Sequence, residues 1–337
     1  MTLDGTKLDV IARTLGRTAS RRAALSAVLA GATASLRRPA DAGAKRRGGQ
    51  DVRGQGKQIR AQPPRADQCD GCERGCPFSS VQPAIDAANP GGTVRICAGT
   101  YKSNPSLTIN KVLTLVGDGA ARTVLKGGGF VRVLQIGPSG VVTLRDLSVT
   151  NGLEMQQQRQ GGAGILVLDR GALTLERCRV EDNKARDGGG IAVSRGATLT
   201  LVDSVVSQNK ALAGGGGLLI RAGGTATLES GARVTDNDCT VFGGGIYLAG
   251  GAITLKSGSS VDDNNAAFIG GGIDAEQNST VILEAGSRVT GNDTGDRGGG
   301  IFSSRATVTI ADPSIVTDND PNNCAVISGS PIANCIG

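Results

Sequence analysis

From residue 161 onward, apolar and polar positions recur along the chain with a period of 26 to 28 residues. Each unit starts with a glycine cluster followed by an apolar residue, contains a Thr/Leu run, and ends in the motif Val-x-x-Asn. Because these three marks share one period, the sequence predicts a repeat architecture. The apolar residue after the glycines is Ile165, Ile191, Leu218, Ile246, Ile273 and Ile301, and the last apolar residue of the run is Leu175, Leu201, Leu228, Leu255, Leu283 and Ile310.

Within a unit, the alternation of apolar and polar residues predicts three short strands. In the second unit these are residues 191–193, 198–201 and 204–208, and turns fall at glycine and at asparagine. One such unit cannot bury its own apolar row, but a stack of units can. We therefore predict an all-β fold, a right-handed parallel β-helix of about nine coils. A β-propeller is the alternative, but its blades need about 40 residues or more.

In this stack, residues at matching positions lie above one another, and coils rise by about 4.8 Å. The isoleucines after the glycines should form one internal file. The asparagine of Val-x-x-Asn should form a second file at a turn, where its amides bond to one another and to the backbone. The members of this ladder are Asn183, Asn209, Asn237, Asn264, Asn292 and Asn319.

The start of the stack has a different pattern. Ser79 can cap a short helix that carries Val81, Ile85 and Ala88, and residues 89–92, Asn-Pro-Gly-Gly, end it. A strand over residues 93–97 follows. We assign 67–337 to one β-helix domain, with a cap at 67–100, repeats at 161–320 and a C-terminal cap at 321–337.

Two stretches, "SVQPAIDAA…GGTVRICAGTY" and "LTINKVLTLVGDG", resemble the opening helix and first coils of the pectate-lyase-like β-helix superfamily. In that family the helix plugs the open N-terminal end of the stack. The "GGGI…VxxN" units are similar to the repeats of polymorphic outer membrane proteins. The resemblance covers about residues 76–320 and implies the fold; it implies little about activity, because the superfamily holds lyases, hydrolases, esterases and inert adhesins.

Composition narrows the function classes. The 337 residues include no His and no Trp, which removes the commonest general base and the commonest zinc ligand. The net charge of +6 is uneven, because residues 1–65 carry +10 and the remainder carries −4. Since a nucleic-acid-binding domain needs a basic face on its folded part, we predict no nucleic-acid partner.

The basic N-terminus resembles a twin-arginine export signal. Arg21 and Arg22 precede an apolar run over 23–36, which is too short to span a bilayer. A-x-A cleavage sites lie at 40–42 and 42–44. We predict an export signal at 1–44, a basic disordered linker at 45–66, no transmembrane span in the mature chain, and an extracellular or cell-surface location. A cytoplasmic amphipathic helix is the alternative.

An exported chain favours disulfides among its eight cysteines. We expect Cys76–Cys97 to tie the cap helix to the first strand, with Cys69–Cys72 or another pairing beside it. Cys324–Cys335 should close the C-terminal end, where a free strand edge otherwise invites pairing. A metal or iron–sulfur site at the first four cysteines is the alternative, although their spacing does not match paired C-x2-C motifs.

In pectate-lyase-like enzymes the active groups usually lie on the outer face of the first strand. Alternation directs Asp274 and Glu276 outward there, about 6.5–7 Å apart, near the separation of an inverting carboxylate pair. They are the candidates for catalysis. Tyr247, Phe302 and Arg221 on neighbouring strands are candidates for sugar binding. The alternative for all five is a solvated face, and no catalytic residue is transferred from the family.

An acidic row beside the asparagine ladder includes Asp236, Asp238, Asp263 and Asp293, which are candidates for calcium because hard cations prefer oxygen ligands. Ordinary turn residues are the alternative. We otherwise expect no cofactor. The leading expectation is a secreted, non-enzymatic β-helix that binds glycan or an envelope partner through one face. The alternative is a polysaccharide lyase or glycoside hydrolase.

Overall fold

The computed structural model describes residues 69–72, 76–155 and 160–335. The predicted export signal at 1–44 and the predicted linker at 45–66 lie outside these residues. No helix in the described part is both long enough and apolar enough to cross a membrane.

The described chain forms a parallel β-helix whose three main sheets each have nine strands. Every strand pairs in parallel with its equivalent in the next coil, as Leu201 with Leu228 and Leu228 with Leu255. The nine strands make about eight turns, close to the nine coils predicted.

Each coil visits sheets I, II and III in that order. Sheet I contains Thr93–Arg95, Val112–Val116, Val141–Arg145, Ala172–Glu176, Thr198–Val202, Thr225–Leu228, Ala252–Leu255, Thr280–Leu283 and Thr307–Ile310. Sheet II contains Gly99–Ser103, Thr123–Gly127, Ser148–Thr150, Arg179–Glu181, Val205–Ser207, Arg233–Thr235, Ser260–Asp262, Arg288–Thr290 and Val316–Thr317. Sheet III contains Leu107–Ile109, Leu134–Ile136, Ile165–Val167, Ile191–Val193, Leu218–Arg221, Ile246–Ala249, Ile273–Glu276, Ile301–Ser304 and Cys324–Ser328.

The main core lies between these three sheets and consists of files of Leu, Ile and Val. Ile191, Leu218, Ile246, Ile273 and Ile301 are in direct register along sheet III, and none has measurable solvent exposure. Because the in-facing positions alternate with out-facing ones, each short strand buries its apolar residues without a helix to cover them.

The six predicted asparagines stand in one buried file at the turn after sheet II. The side-chain oxygen of Asn264 accepts hydrogen bonds from the backbone nitrogen and the Nδ2 of Asn237, both at 3.0 Å. Its own Nδ2 donates to the Val234 carbonyl and to Asn292 Oδ1, both at 2.9 Å. The file continues to Asn323. Each amide therefore joins three successive coils.

A fourth, six-stranded parallel sheet follows the ladder, where three strands per coil were predicted. The residues after each asparagine hydrogen-bond to the same residues of the next coil, as Lys210 N does to the Asn183 carbonyl. Four of its six strands have only two residues, too short to show an alternation pattern, so the sequence did not predict this sheet. Sheet IV contains Leu153–Glu154, Lys184–Asp187, Lys210–Gly214, Asp238–Cys239, Asn265–Ala266 and Asp293–Thr294.

The N-terminal end is closed by helix α1, Val81–Ala87, which buries Val81, Ala84 and Ile85. Its N-cap is Ser80, whose side chain makes no capping bond, so the predicted cap at Ser79 is wrong. The other end carries a short 3₁₀ helix, Pro313–Ile315, before the last strands.

The predicted Cys76–Cys97 disulfide is also wrong. Cys69 is bonded to Cys97, and Cys72 is bonded to Cys76. The reason is that Gly71 bridges Ile96 in parallel, with the Cys97 nitrogen donating to the Gly71 carbonyl, so the segment before the helix lies against the first coil. Cys324 is bonded to Cys335, as predicted.

Ile246→Asp should unfold the stack, because it places an unpaired charge in the dry main core, at a cost of several kcal/mol. Thermal unfolding followed by circular dichroism measures the effect. Leu212→Asp is the matched control, since Leu212 lies in sheet IV at 44% exposure and should tolerate the same change. Equal melting temperatures for the two variants would refute the inward assignment.

Asn264→Ala should lower the free energy of unfolding by about 2–4 kcal/mol, because it removes one link of the ladder and leaves buried backbone and amide groups without partners. Chemical denaturation measures the difference. Asn265→Ala is the control: Asn265 is exposed and its side chain makes one bond, to Asp238. If Asn264→Ala has the same free energy of unfolding as the Asn265→Ala control, the asparagine ladder contributes no stability.

Candidate functional site

The structure places the predicted site residues on the outer side of sheet III, in two files. Tyr247, Asp274 and Phe302 follow one another in register in the first file. Glu276 belongs to the second file, which Arg221 also joins two strands away, with Ala249 between them. The predicted site residues are therefore neighbours on sheet III, as expected from the repeat register.

Their predicted exposure is wrong. Asp274 and Phe302 are 0% and 1% exposed, and Tyr247 and Glu276 are 9% and 7% exposed. A further layer of chain, the cover, lies over them. It consists of sheet IV and of the bridged row that follows it, Gly214, Phe242, Ile269 and Arg297. Between the cover and sheet III is a second small interior, the side core, which includes Leu166, Ala192, Leu219 and Tyr247.

Glycine allows the cover to lie close to the outer side of sheet III. A Cβ on Gly270 would stand 2.6 Å from the Asp274 Cβ, and one on Gly298 would stand 2.8 Å from the Phe302 Cβ. Both glycines have φ near +70°, at +66° and +70°, a conformation that side chains disfavour. The glycine clusters are thus required where the chain crosses directly over the side core.

Polar groups in the side core are engaged with one another. The Tyr247 hydroxyl donates to Glu276 Oε2 at 3.2 Å, and the Tyr247 ring packs against Phe242 with centroids 5.9 Å apart. Burial, and then the charges of Glu276 and Asp274, raise the pKa of Tyr247 well above its ordinary value. Tyr247 and Phe302 are therefore packed against protein and do not present a ring to a sugar.

Arg221 lies at the edge of the cover. Its NH2 group donates to the Gln160 carbonyl at 3.3 Å, and its charge lowers the pKa of Asp187, which burial raises more strongly. At the closed end of the side core, Arg132 donates to the carbonyls of Gly161 and Gly162 and pairs with buried Glu154 at 3.6 Å. These contacts join the cover to the coils around Arg132 and Arg221. Asp274 and Glu276 lie further along the stack and are enclosed there, at 0% and 7% exposure.

The calcium candidates do not converge on one point. Asp236 and Asp263 occupy left-handed turn positions at φ near +55°, whereas Asp238 accepts a hydrogen bond from Asn265 and lies 3.8 Å from Lys210. Burial and then Asp320 raise the pKa of Asp293. In the part of the chain that the structure describes, no three Cys, Asp or Glu side chains are grouped to hold a metal.

An open cavity of about 280 Å³ lies instead on the outer face of sheet II. Arg233, Ser260 and Arg288 stand in one file, so the two arginines flank the small serine at a Cα separation of about 9.6 Å. Asp262 and Thr290 form the next file. Gly231 and Gly258, at the turn from sheet I, leave the remaining side of the cavity without side chains.

Asp262 organises this cavity. Its Oδ2 accepts a hydrogen bond from Arg233 at 2.5 Å, and its Oδ1 accepts one from Ser260 at 2.6 Å. The bond to Asp262 raises the pKa of Arg233. Because both carboxylate oxygens already accept bonds, Asp262 positions Arg233 and is poorly placed to act as a general base.

The repeat pattern did not single out the residues that line the sheet II cavity. The available clue was that arginine precedes the repeat valine in three of the units, at Arg179, Arg233 and Arg288. Arginine at a fixed outward position is ordinary for a soluble solenoid, and only the structure shows the concavity between two of the three.

Comparison with known proteins supports the fold. Residues 133–335 match the family model described as right handed beta helix region, and the chain belongs to this family. Similar solved structures include the pectate lyase Pel9A, at 14% identity and a TM-score of 0.38 over 69% of this chain and 72% of that one. Another is the deglycosylated pectin methylesterase from Aspergillus niger, at 12% identity and a TM-score of 0.32 over 79% and 82%. No curated protein matches the sequence significantly.

Tyr247→Phe should cost about 0.5–1.5 kcal/mol at neutral pH, because Glu276 loses a hydrogen-bond donor. The cost should shrink as pH rises through 10.0, the ordinary pKa of tyrosine. There the unfolded wild-type chain releases the Tyr247 proton while the folded chain keeps it, so wild-type stability falls and the variant lacks this loss. Melting temperatures of both proteins from neutral to alkaline pH provide the check; a constant difference would contradict the buried, neutral phenol.

Proposed function

We propose that the protein is exported and binds glycan outside the cell, without turning it over, through the sheet II cavity. The observation that carries this proposal is the cavity itself, which combines the guanidinium groups of Arg233 and Arg288 with the hydroxyls of Ser260 and Thr290. Few precisely placed polar groups in a concave site are typical of ligand recognition.

The chemistry of the cavity favours sugar hydroxyls as the ligand groups. Arginine donates several hydrogen bonds from a planar group, while Thr290 and Ser260 hydroxyls can accept as well as donate. Ser260, a small residue, lies between the two arginines in the same file. Since Asp236, Asp262 and Asp263 are close to Arg233 and contribute negative charge, the site is better suited to a neutral glycan than to a polyanion.

Absence of turnover is supported by how the acidic residues are held. The outward pair Asp274 and Glu276 is enclosed, and Asp262 is held by hydrogen bonds from Arg233 and Ser260, one to each carboxylate oxygen. A polymer cannot reach the first pair without removal of the cover. The lyase or glycosidase alternative would need an acid and a base on an open surface.

Export is supported by two independent features. The twin arginine and apolar run of residues 21–36 have the composition of an export signal. Three disulfides in the described chain are typical of an oxidising compartment. Two of the three, Cys69–Cys97 and Cys324–Cys335, cross-link the ends of the solenoid, where each terminal coil has a neighbour on one side only.

Arg288→Ala should weaken glycan binding at least about tenfold, as expected for loss of hydrogen bonds from a charged group. A polysaccharide array identifies a retained glycan, and titration calorimetry with that glycan measures the affinity. Arg195→Ala is the control, because Arg195 is exposed at a turn away from sheet II.

No retention of any neutral glycan, or equal affinity of the Arg288 variant and wild type, would rule out this cavity as the binding site. Release of shorter sugars into the supernatant, measured in the same incubation, would instead favour the enzymatic alternative.

A further inference from the structure

The outer face of sheet I differs from the other two faces of the solenoid. Sheet II exposes charged residues and sheet III is under the cover, but two adjacent outward files of sheet I carry no charge at all. One file consists of Thr93, Thr114, Thr143, Thr174, Thr200, Thr227, Thr254, Ile282 and Thr309. The other consists of Val112, Val141, Ala172, Thr198, Thr225, Ala252, Thr280 and Thr307. We name these two files the flat face.

The flat face is open to solvent and contains large apolar side chains. Val112, Val141 and Ile282 are 48%, 52% and 37% exposed. Nearly all its residues are β-branched or alanine, so their side chains are already restricted and lose little entropy on burial. In a chain with 20% charged residues, an uncharged exposed surface of this length marks an interaction site.

A third file, the rim, borders the flat face and carries charges of both signs. It contains Arg145, Glu176, Val202, Glu229, Lys256 and Glu284 in successive coils. Within one chain, Arg145 pairs with Glu176 at 2.6 Å and Lys256 with Glu229 at 2.9 Å. Glu284 is exposed next to Lys256, so the charges at the two ends of the rim are opposite.

We propose that the flat face packs against the flat face of a second copy of this chain, to form a two-fold symmetric dimer. The axis lies along the strand direction, between the strands of Thr200 and Thr227. Such an axis places each file over the same file of the partner and reverses the order of the coils. Thr200 then faces the partner's Thr227, and Val141 faces the partner's Thr280.

The rim supports this axis by charge complementarity. The same rotation brings Arg145 to the partner's Glu284 and Glu176 to the partner's Lys256, and each pair occurs twice by symmetry. An axis through the central strand of Thr200 would instead oppose Arg145 to Lys256 and Glu176 to Glu229. Like charges would then meet on both sides, so the rim selects the first axis.

The flat face and the rim together are large enough for a stable dimer. They span eight strands at about 4.8 Å by five residues at about 3.3 Å, which gives about 600 Å² per copy and about 1,200 Å² in total, above the roughly 1,000 Å² expected of a specific interface. Sheets can pack face to face in this way at about 10 Å. Because sheet II stays open in this dimer, the proposed glycan site is unaffected.

Sedimentation velocity of the purified full chain, over about 1–100 μM, tests the dimer. The wild type should form dimers in this range. Thr200→Lys should be at least about 100-fold weaker, since it buries a charge at the centre of the interface. Ser207→Lys, in the same coil but on sheet II, should dimerise like the wild type. A wild type that stays monomeric throughout, or a Thr200 variant that dimerises equally, would overturn the proposal.

A charge reversal on the rim tests the position of the two-fold axis. Its result does not depend on how well the Thr200 variant folds. Glu284→Lys should weaken the dimer about tenfold, and adding Arg145→Glu should restore much of the loss because the pair is reversed across the axis. A dimer that is indifferent to Glu284→Lys, or a double variant weaker than the single one, would show that the copies meet in another way.

Discussion

From Asn183 onward, each coil is tied to the next by an asparagine at the turn after sheet II, and the register of the repeats depends on that link. The amide cannot reach its neighbours unless successive turns stand directly above one another, so it sets the register of all sheets at once. A slip by one residue would break the file and turn every apolar file outward. The ladder therefore contributes specificity as well as hydrogen bonds, and it explains why polar residues can occupy a fully buried column.

Register in turn decides what each face of the solenoid can do. Because identical positions repeat every coil, one residue type becomes a stripe along the whole axis. Sheet III is covered by the segment that precedes it in each coil, which glycine allows to lie at contact distance. Sheet II keeps mixed charges and a cavity, and sheet I keeps an uncharged surface. One repeat thus produces three chemically different faces, and two of them remain available to partners.

Burial separates structural from functional acids in this molecule. The separation predicted for Asp274 and Glu276 is that of a catalytic pair. In the structure both residues belong to the side core, where Tyr247 and the cover enclose them. The buried thiols behave in the same manner: burial raises the pKa of Cys178 to about 11 and of Cys239 to about 12, which keeps them protonated and unreactive. Chemistry with a soluble partner is therefore confined to open surfaces, such as the sheet II cavity.

The sequence by itself determined the coil. Its period, its inward isoleucines and its asparagine ladder follow from short-range alternation and from the requirement that a repeat bury its apolar row against its neighbours. Only the tertiary structure decided what lies outside that coil. The cover arises from short strands with no alternation of apolar and polar residues, and the periodic glycines do not indicate that the chain crosses over sheet III, so the burial of Tyr247, Asp274 and Phe302 was invisible in the sequence. The Cys69–Cys97 bond and the cavity between Arg233 and Arg288 likewise depend on how segments distant along the chain approach one another, which local pattern does not encode.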